Sequence, residues 1–161
     1  MHNAVIEAPF GKVGIGVDDM AGVVRLIEYL PAEVAAVAPD SELSERAARQ
    51  IARYLASPTF SFDLPLADVG TPFQRRVWQA IRDIPPGEVI SYGALARRVG
   101  GVPRAVGQAC GDNPFPIVIA CHRVVAANGL GGFAHHGDDG FFVRVKRWLI
   151  AHESAQQSLA L

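Results

Sequence analysis

A cysteine directly followed by a histidine is the feature of this sequence best suited to chemistry. Cys121 and His122 interrupt the apolar run Ile117–Val125. Because the thiolate, and not the thiol, attacks an electrophile, a neighbouring base can activate a cysteine for covalent transfer. Free cysteine is also among the residues most often simply buried. The pair alone therefore indicates either a nucleophile beside its base or a structural cysteine beside an unrelated histidine.

Two short helices ahead of the cysteine predict a helix-turn-helix. The pattern places them at 91–99 and 103–111, with Gly100-Gly101 forming the turn. After Arg104 the second helix has almost no long polar side chains that could reach base edges in a major groove. Its internal Gly107 costs about 1 kcal/mol relative to alanine. Such a helix suits close approach of its backbone either to a narrow nucleic-acid groove or to a neighbouring helix.

The first third of the chain predicts a small sheet with a helix. Strands are expected at 13–17 and 23–29, on either side of a turn. Ser41 can cap a helix over 41–55, in which apolar residues recur every four positions. Residues 60–64 alternate like a strand, and 65–70 resemble a linker.

The remainder of the chain predicts mainly helices. Thr71-Pro72 is a helix start with a capping hydroxyl, and that helix ends near Pro85. A last helix is expected over about 142–152. The fold class is therefore α+β, with a small N-terminal antiparallel sheet and helix in residues 1–70. A mainly helical C-terminal domain in residues 71–161 contains the helix-turn-helix and the cysteine.

Composition and charge limit the classes to which the protein can belong. Half of the 161 residues are apolar, which is enough for a packed core. Residues 1–70 carry 5 basic and 10 acidic side chains, a net charge of −5, whereas residues 71–161 carry 10 and 6, a net charge of +4. The basic part could attract a polyanion or could reflect ordinary charge scatter.

The cysteine count and the hydropathy bear on location. Two cysteines and no export signal favour reduced thiols in a bacterial-type cytosol. The longest apolar stretches are too short for a membrane span. The histidines and cysteines lack the spacing of a zinc site, so no metal is expected.

Six short motifs occur in one order, followed by a seventh segment near the C-terminus. They are Thr71-Pro72-Phe73-Gln74, Val77-Trp78, Ser91-Tyr92, Arg104-Ala105-Val106-Gly107, Asn113-Pro114 and Cys121-His122-Arg123-Val124-Val125, and then Ala151-His152-Glu153. Together they resemble the O6-alkylguanine-DNA alkyltransferase family, the methylated-DNA–protein-cysteine methyltransferases. The resemblance covers nearly the whole chain. It implies a DNA repair protein that flips O6-alkylguanine out of the duplex and transfers the alkyl group irreversibly to its own cysteine, once per molecule.

The resemblance assigns the chemistry to three residues and needs no cofactor. Cys121 matches the alkyl acceptor of the family. His122 matches the base, which acts on the thiol through a water, and Glu153 matches the glutamate that orients the histidine. This is the logic of an activated nucleophile, in which a third group aligns the base.

The resemblance also implies residues that bind the flipped base. Tyr92 matches the tyrosine that assists flipping, and the main-chain carbonyl of Val124 matches the acceptor of the guanine amino group. Asn113 matches the asparagine that braces the turn before the active-site strand. Phe133 stands where tyrosine is frequent in the substrate loop, and the amide near Ala134 is expected to donate to O6.

The implied partner is double-stranded DNA, bound through the minor groove by a monomer. Arg104 matches the arginine finger that fills the gap left by the flipped base. Ala105 and Gly107 match the small residues that let the helix enter the groove. The resemblance thus favours nucleic acid over helix packing as the reason for the small residues.

The sequence departs from the family pattern in three places. Ala120 stands where proline usually precedes the cysteine, which leaves a freer φ. Residues 134–140 replace a shorter stretch. Their adjacent histidines and aspartates do not favour a metal because the ligands are consecutive. The turn at 100–103 is shorter than is common. In addition, the cysteines of the zinc site that some relatives carry are absent, so no structural zinc is predicted.

Three other functions compete with this interpretation. A non-catalytic alkyltransferase-like protein would bind the lesion without gaining mass, and such proteins lack the acceptor cysteine. A cysteine hydrolase would turn over an ester substrate. A helix-turn-helix regulator would prefer one operator sequence, for which the small-residue helix is poorly suited.

Overall fold

The computed structural model describes residues 1–127, 129 and 140–160, with the backbone alone for 155–160. The chain divides into two compact units, Met1–Asp68 and Val69–Leu161. The first contains a three-stranded antiparallel sheet and a helix, and the second is mainly helical. The predicted α+β class is confirmed.

The sheet of the first unit consists of β1 (Ala4–Ala8), β2 (Gly11–Asp18) and β3 (Val23–Leu30), in that order across the sheet. Both pairings are antiparallel. The sequence pattern did not indicate β1, because its five residues include two alanines and alternate weakly. Pairing along β2 supplies what local preference lacks.

Helix α1 (Glu42–Ala56) begins at a capping box. The Ser41 hydroxyl accepts from the Ser44 amide at 3.1 Å, and the Ser41 amide donates to the Ser44 hydroxyl at 2.9 Å. The helix buries Ala47, Ile51 and Tyr54, which lie three and four residues apart. The helix predicted over 41–55 is therefore confirmed.

The strand predicted over 60–64 is wrong. These residues join no sheet; instead, the ring centroids of Phe60 and Phe62 lie 5.3 Å apart in an edge-to-face contact, and Tyr54 lies 5.8 Å from Phe62. The alternating aromatic residues therefore form a side-chain cluster and not a strand. The predicted linker also has more order than expected. Val24 donates to Pro65 O and accepts from the Ala67 amide, both at 2.8 Å.

The second unit contains four α-helices and a short parallel strand pair among its described residues. The helices are α2 (Pro72–Arg82), α3 (Tyr92–Val99), α4 (Pro103–Gly111) and α5 (Phe141–Ala160), and the strands are β4 (Ile90–Ser91) and β5 (Val124–Val125). Thr71 caps α2 ahead of Pro72, as the sequence predicted, and Gln74 completes a capping box. No helix in the described ranges is both long enough and apolar enough to span a membrane.

Helices α3 and α4 form the predicted helix-turn-helix. Ser91 caps α3 by accepting from the Ala94 amide at 3.0 Å. Gly100 ends α3 in the left-handed conformation, with φ 77°. A Cβ on Gly101 would lie 2.8 Å from the Phe73 ring. The connection is therefore short because one glycine turns the chain and the next passes directly against α2.

Candidate active site

Cys121 begins a single 3-10 turn, Cys121–Arg123. Its amide donates to Ile119 O at 2.7 Å, and the Arg123 amide donates to Ala120 O at 3.0 Å. Only 6% of Cys121 is exposed. The strand expected at the active site is confined to Val124–Val125, after the cysteine, where it pairs with Ile90–Ser91. Cys121 thus lies on a tight turn that a short strand pair anchors.

Asn113 braces the loop that leads to the cysteine. Its amide nitrogen donates to Ile119 O at 2.8 Å, and its side-chain oxygen accepts from the Phe115 amide at 2.9 Å. Between them Ile117 adopts a φ of 75° and is 2% exposed. This conformation is strained for a β-branched residue, so the surrounding contacts must hold it.

His122 and Glu153 form a buried pair. His122 Nε2 lies 2.8 Å from Glu153 Oε2, and the two residues are 0% and 3% exposed. Because the carboxylate accepts, Nε2 carries the hydrogen and Nδ1 keeps the lone pair of the neutral ring. Burial lowers the pKa of His122, against the opposing effect of Glu153. The imidazole is therefore neutral at pH 7, which is the form that can take a proton.

The Nδ1 atom of His122 is buried and has no hydrogen-bond partner within the described part of the chain. A buried polar atom without a partner is uncommon and points to a role in function or to a bridging water. Since Nε2 is fixed by Glu153, Nδ1 is the atom that can act as the base.

Arg123 gives Glu153 a second partner that sequence reasoning missed. Its Nε donates to Glu153 Oε1 at 3.0 Å and its Nη2 to Oε2 at 2.9 Å, while Nη1 donates to Ile84 O at 2.6 Å. This bidentate pair compensates the buried carboxylate and fixes its plane. Its position directly after Cys121-His122 was the available signal.

Lys146 is a second residue that sequence reasoning missed. It is 0% exposed, and its Nζ donates to Val124 O at 2.8 Å. The same Nζ lies 5.7 Å from the centroid of the Tyr92 ring. Burial lowers the pKa of Lys146 from 10.5 to about 8, and the neighbouring Cys121 and Cys110 oppose that change.

Burial also governs the thiol and the phenol of the site. It raises the pKa of Cys121, while the hydrogen bond from Asn113 and the charge of Lys146 lower it. Burial likewise raises the pKa of Tyr92, with Cys110 and Cys121 adding to the effect. Both cysteines are free. The resting site therefore holds a protonated thiol, which needs a base before it can attack.

The residues assigned to DNA lie on α4. Arg104 is the second residue of the helix and is exposed, whereas Ala105 and Gly107 are half-buried. A Cβ on Gly107 would meet no atom of the described residues within 4 Å. Packing among these residues therefore does not require glycine there. The opposite face is fixed by Trp78 Nε1, which donates to Ala109 O at 2.8 Å.

The structure brings most, but not all, of the predicted site residues together. Cys121, His122, Glu153, Asn113 and Val124 are linked by the contacts above, and Tyr92 faces Lys146. Phe133 and Ala134 lie outside the described residues, as do the histidines and aspartates of 135–139. In the described ranges no group of three or more His, Cys, Asp or Glu side chains could hold a metal.

A helix-turn-helix together with a buried cysteine and a histidine–glutamate pair is typical of a DNA-binding protein that carries a cysteine nucleophile. The chain matches the family described as 6-O-methylguanine DNA methyltransferase, DNA binding domain, over residues 72–155. The chain belongs to this family, which confirms the resemblance.

Relatives across most of the chain agree with that assignment. It is 37% identical over 142 residues to a methylated-DNA–protein-cysteine methyltransferase of Methanosarcina acetivorans, covering 83% of this chain and 90% of that protein. It is similar to the crystal structure of the Mycobacterium tuberculosis O6-methylguanine methyltransferase, with a TM-score of 0.76, 32% identity and full coverage of both chains. The M. tuberculosis OGT in complex with DNA gives a TM-score of 0.77 at 34% identity, covering 94% of this chain and 92% of that one.

Proposed function

We propose that the protein repairs DNA by flipping O6-alkylguanine out of the duplex and transferring the alkyl group irreversibly to Cys121. It is a single-turnover methylated-DNA–protein-cysteine S-methyltransferase. The observation that carries the proposal is the buried arrangement of Cys121, His122 and Glu153 in a chain of this family. The geometry supplies a nucleophile, a neutral base and a group that orients the base.

The transfer makes and breaks bonds only between the cysteine and the substrate, while His122 and a water move the proton. His122 Nδ1 takes the thiol proton through a bridging water, and the Cys121 thiolate attacks the alkyl carbon. A sulfur–carbon bond forms as the bond from carbon to guanine O6 breaks. The electron pair of that bond stays on the guanine, which leaves as the normal base. The proton that the guanine gains balances the one that His122 takes from the thiol. The thioether does not hydrolyse, so each molecule reacts once. The transfer uses no cofactor.

The flipped base is held by groups around the cysteine. Tyr92 donates from its phenol as the guanine gains electron density, and its raised pKa keeps it protonated for this role. The Val124 carbonyl accepts from the guanine amino group. Asn113 keeps the loop in place through its bonds to Ile119 and Phe115. Phe133 and the amide near Ala134 complete the pocket in this proposal.

DNA is bound through the minor groove by α4. Guanine O6 lies on the major-groove edge and Cys121 is buried, so the lesion must leave the helix to reach the sulfur from the minor-groove side. Arg104 is exposed near the start of α4 and fills the gap that the base leaves. Ala105 and Gly107 let the helix backbone approach the groove. The open space around Gly107 supports this role over internal packing.

We further propose that residues 71–161 carry both DNA binding and alkyl transfer, while residues 1–70 form a separate domain. The division into Met1–Asp68 and Val69–Leu161 supports this assignment. The protein works as a monomer in the cytosol, where a thiol acceptor stays reduced. The free state of Cys110 and Cys121 is compatible with that location.

The proposal is tested by intact mass after incubation with a duplex that contains O6-methylguanine. The wild type should gain one methylene, mapped to Cys121. Cys110→Ser removes the other thiol and should gain the same mass, whereas Cys121→Ser should gain none. Tight, lesion-selective binding without any mass gain would instead identify a lesion-binding protein and remove the catalytic assignments.

A further inference from the structure

We propose that Lys146 is a positioning residue of the alkyl transfer, whose buried ammonium group favours the Cys121 thiolate and holds the Val124 carbonyl in place for the substrate. This inference rests on the proposed function, since it concerns the same site. Lys146 has no role in the chemistry described above. Its own contacts carry the argument.

The burial of Lys146 is the first observation. Lysine is almost never fully buried without partners, because removing an ammonium group from water is unfavourable. Lys146 is nevertheless 0% exposed, on the face of α5 that also carries Glu153. The two residues are seven positions apart, which is two helical turns. One face of α5 therefore supplies both the carboxylate that contacts His122 and the ammonium group that contacts Val124.

The bond to Val124 is the second observation. Lys146 Nζ donates to Val124 O at 2.8 Å. A carbonyl oxygen has two lone pairs, so the same atom can still accept from the guanine amino group. Val124 directly follows the turn that carries Cys121, and β5 pairs with Ile90–Ser91 just before Tyr92. Lys146 thus links α5 to the strand pair that positions both Cys121 and Tyr92.

The groups that face Lys146 are the third observation. Cys121 lies on the 3-10 turn, Cys110 on α4 and Tyr92 on α3, and His122 also experiences its charge. A cation here lowers the pKa of Cys121 and, by reciprocity, a thiolate raises the pKa of Lys146. The same cation lowers the pKa of His122. One charge therefore favours the thiolate and keeps the base neutral.

The test removes the charge and follows the pH dependence of the cysteine. Lys146→Met keeps an unbranched side chain of similar length, and Arg147→Met removes a cation from the exposed neighbouring position of α5. Two rates are measured against pH: modification of Cys121 by iodoacetamide, mapped by mass, and alkyl transfer from an O6-methylguanine duplex. The first readout needs neither DNA nor repair activity.

Lys146→Met should raise the pH midpoint of both profiles by about one unit, which lowers the rate about tenfold at pH 7. The difference should shrink as the pH rises. Arg147→Met should match the wild type. Unchanged profiles, or a loss equal at every pH with a lower melting temperature, would overturn the proposal, because a purely structural lysine predicts no shift in midpoint.

A reciprocal measurement needs no change at Lys146, so it remains decisive if Lys146→Met does not fold. The Lys146 side chain is titrated by NMR in the wild type and in Cys121→Ser. In the pH range where Cys121 ionises, its thiolate should hold Lys146 protonated, and Cys121→Ser should abolish that effect. Identical titration curves for the two proteins would overturn the coupling. If the wild type gains no methyl group while Lys146→Met still shifts the iodoacetamide profile, the proposed function fails and the coupling stands.

Discussion

The two units of the chain use buried polar side chains in different ways. In Met1–Asp68 the buried polar residues are Lys12 and Ser44, 7% and 0% exposed. Ser44 completes a helix cap, and Lys12 Nζ donates to Ala32 O at 2.6 Å and lies 3.4 Å from the exposed carboxylate of Glu7. Both serve local structure.

Among the described residues of Val69–Leu161 the buried polar residues are His122, Arg123, Lys146 and Glu153, all 8% exposed or less. His122, Arg123 and Glu153 form one hydrogen-bonded group directly after Cys121, and Lys146 bonds to the carbonyl of Val124, the next residue along the chain. Buried charges reduce stability unless they are paired, so such a group is retained where chemistry needs it. The difference teaches that buried polar residues alone do not mark a site. What distinguishes a functional site is that several buried ionisable groups contact one another beside a nucleophile.

Glu153→Ala should have the largest effect and is the strongest test of that distinction. It leaves the buried Arg123 without its carboxylate and His122 without the group that orients it. We expect a loss of about 3–5 kcal/mol in the free energy of unfolding, together with near-complete loss of alkyl transfer. Urea unfolding and the methyl mass gain measure the two effects.

The matched control for Glu153→Ala is Glu88→Ala, which removes an exposed carboxylate of the same unit. It should change stability by less than about 0.5 kcal/mol and leave transfer intact. If Glu153→Ala were as mild as Glu88→Ala, the buried group would not be a connected network. The contrast between the two units would then lose its basis.

Arg104→Ala sharpens the comparison between the buried group and the exposed face of α4. Unstacking a base costs a few kcal/mol, and the finger stabilises the duplex after flipping, so duplex transfer should fall about tenfold or more. Transfer from free O6-benzylguanine, which needs no flipping, should change little. Arg82→Ala, at the exposed end of α2, is the control. Equal losses on both substrates would remove the finger assignment.

The pH dependence of stability tests the burial of His122. Its pKa is lowered in the folded protein, whereas the unfolded chain titrates near 6.5. Between these two values the unfolded chain binds a proton that the folded protein does not. The free energy of unfolding should therefore fall as the pH drops below about 6.5, by at most about 1.4 kcal/mol per pH unit, and level off below the folded-state pKa.

His122→Gln should flatten that dependence relative to the wild type. Chemical denaturation at pH 5, 6, 7 and 8 gives the two curves. Parallel curves would mean that the imidazole is not held neutral by burial, and the base assignment would weaken with it.

Local signals predicted the helices of both units well. Capping at Ser41, Thr71 and Ser91 acts within a few residues, so it is readable from sequence. The errors came from non-local effects. Phe60 and Phe62 alternate because their rings pack on each other, and β1 exists because β2 is there to pair with it.

The site residues also divide into those that local sequence patterns indicated and those that depend on non-local contacts. The adjacency of Cys121 and His122 was visible, but the pattern alone left a structural cysteine open. Glu153 entered only through the resemblance, because its contact with His122 spans 31 positions. The burial of Lys146 and the bidentate contact of Arg123 depend on how α5 packs on the 3-10 turn. No local pattern marks a lysine as buried, so this part of the site required the structure.

Ser44→Ala tests the other side of the comparison. It removes one partner of the capping box in the first unit, where buried polarity serves structure. We expect a loss of about 1 kcal/mol in the free energy of unfolding and an unchanged transfer rate per folded molecule. A transfer defect would show that the first unit contributes to the chemistry.

Ala120→Pro should have the smallest effect. It changes only the backbone freedom of the residue directly before Cys121. Ala120 has φ −77°, which lies within the range that a proline ring imposes. Fixing that angle should stabilise the protein by about 0.4–1 kcal/mol by restricting the unfolded chain. The melting temperature and the transfer rate should both rise slightly, because the turn that holds Cys121 loses freedom. A lower melting temperature would mean that the alanine backbone makes a bond that proline cannot, and that placement of Cys121 depends on it.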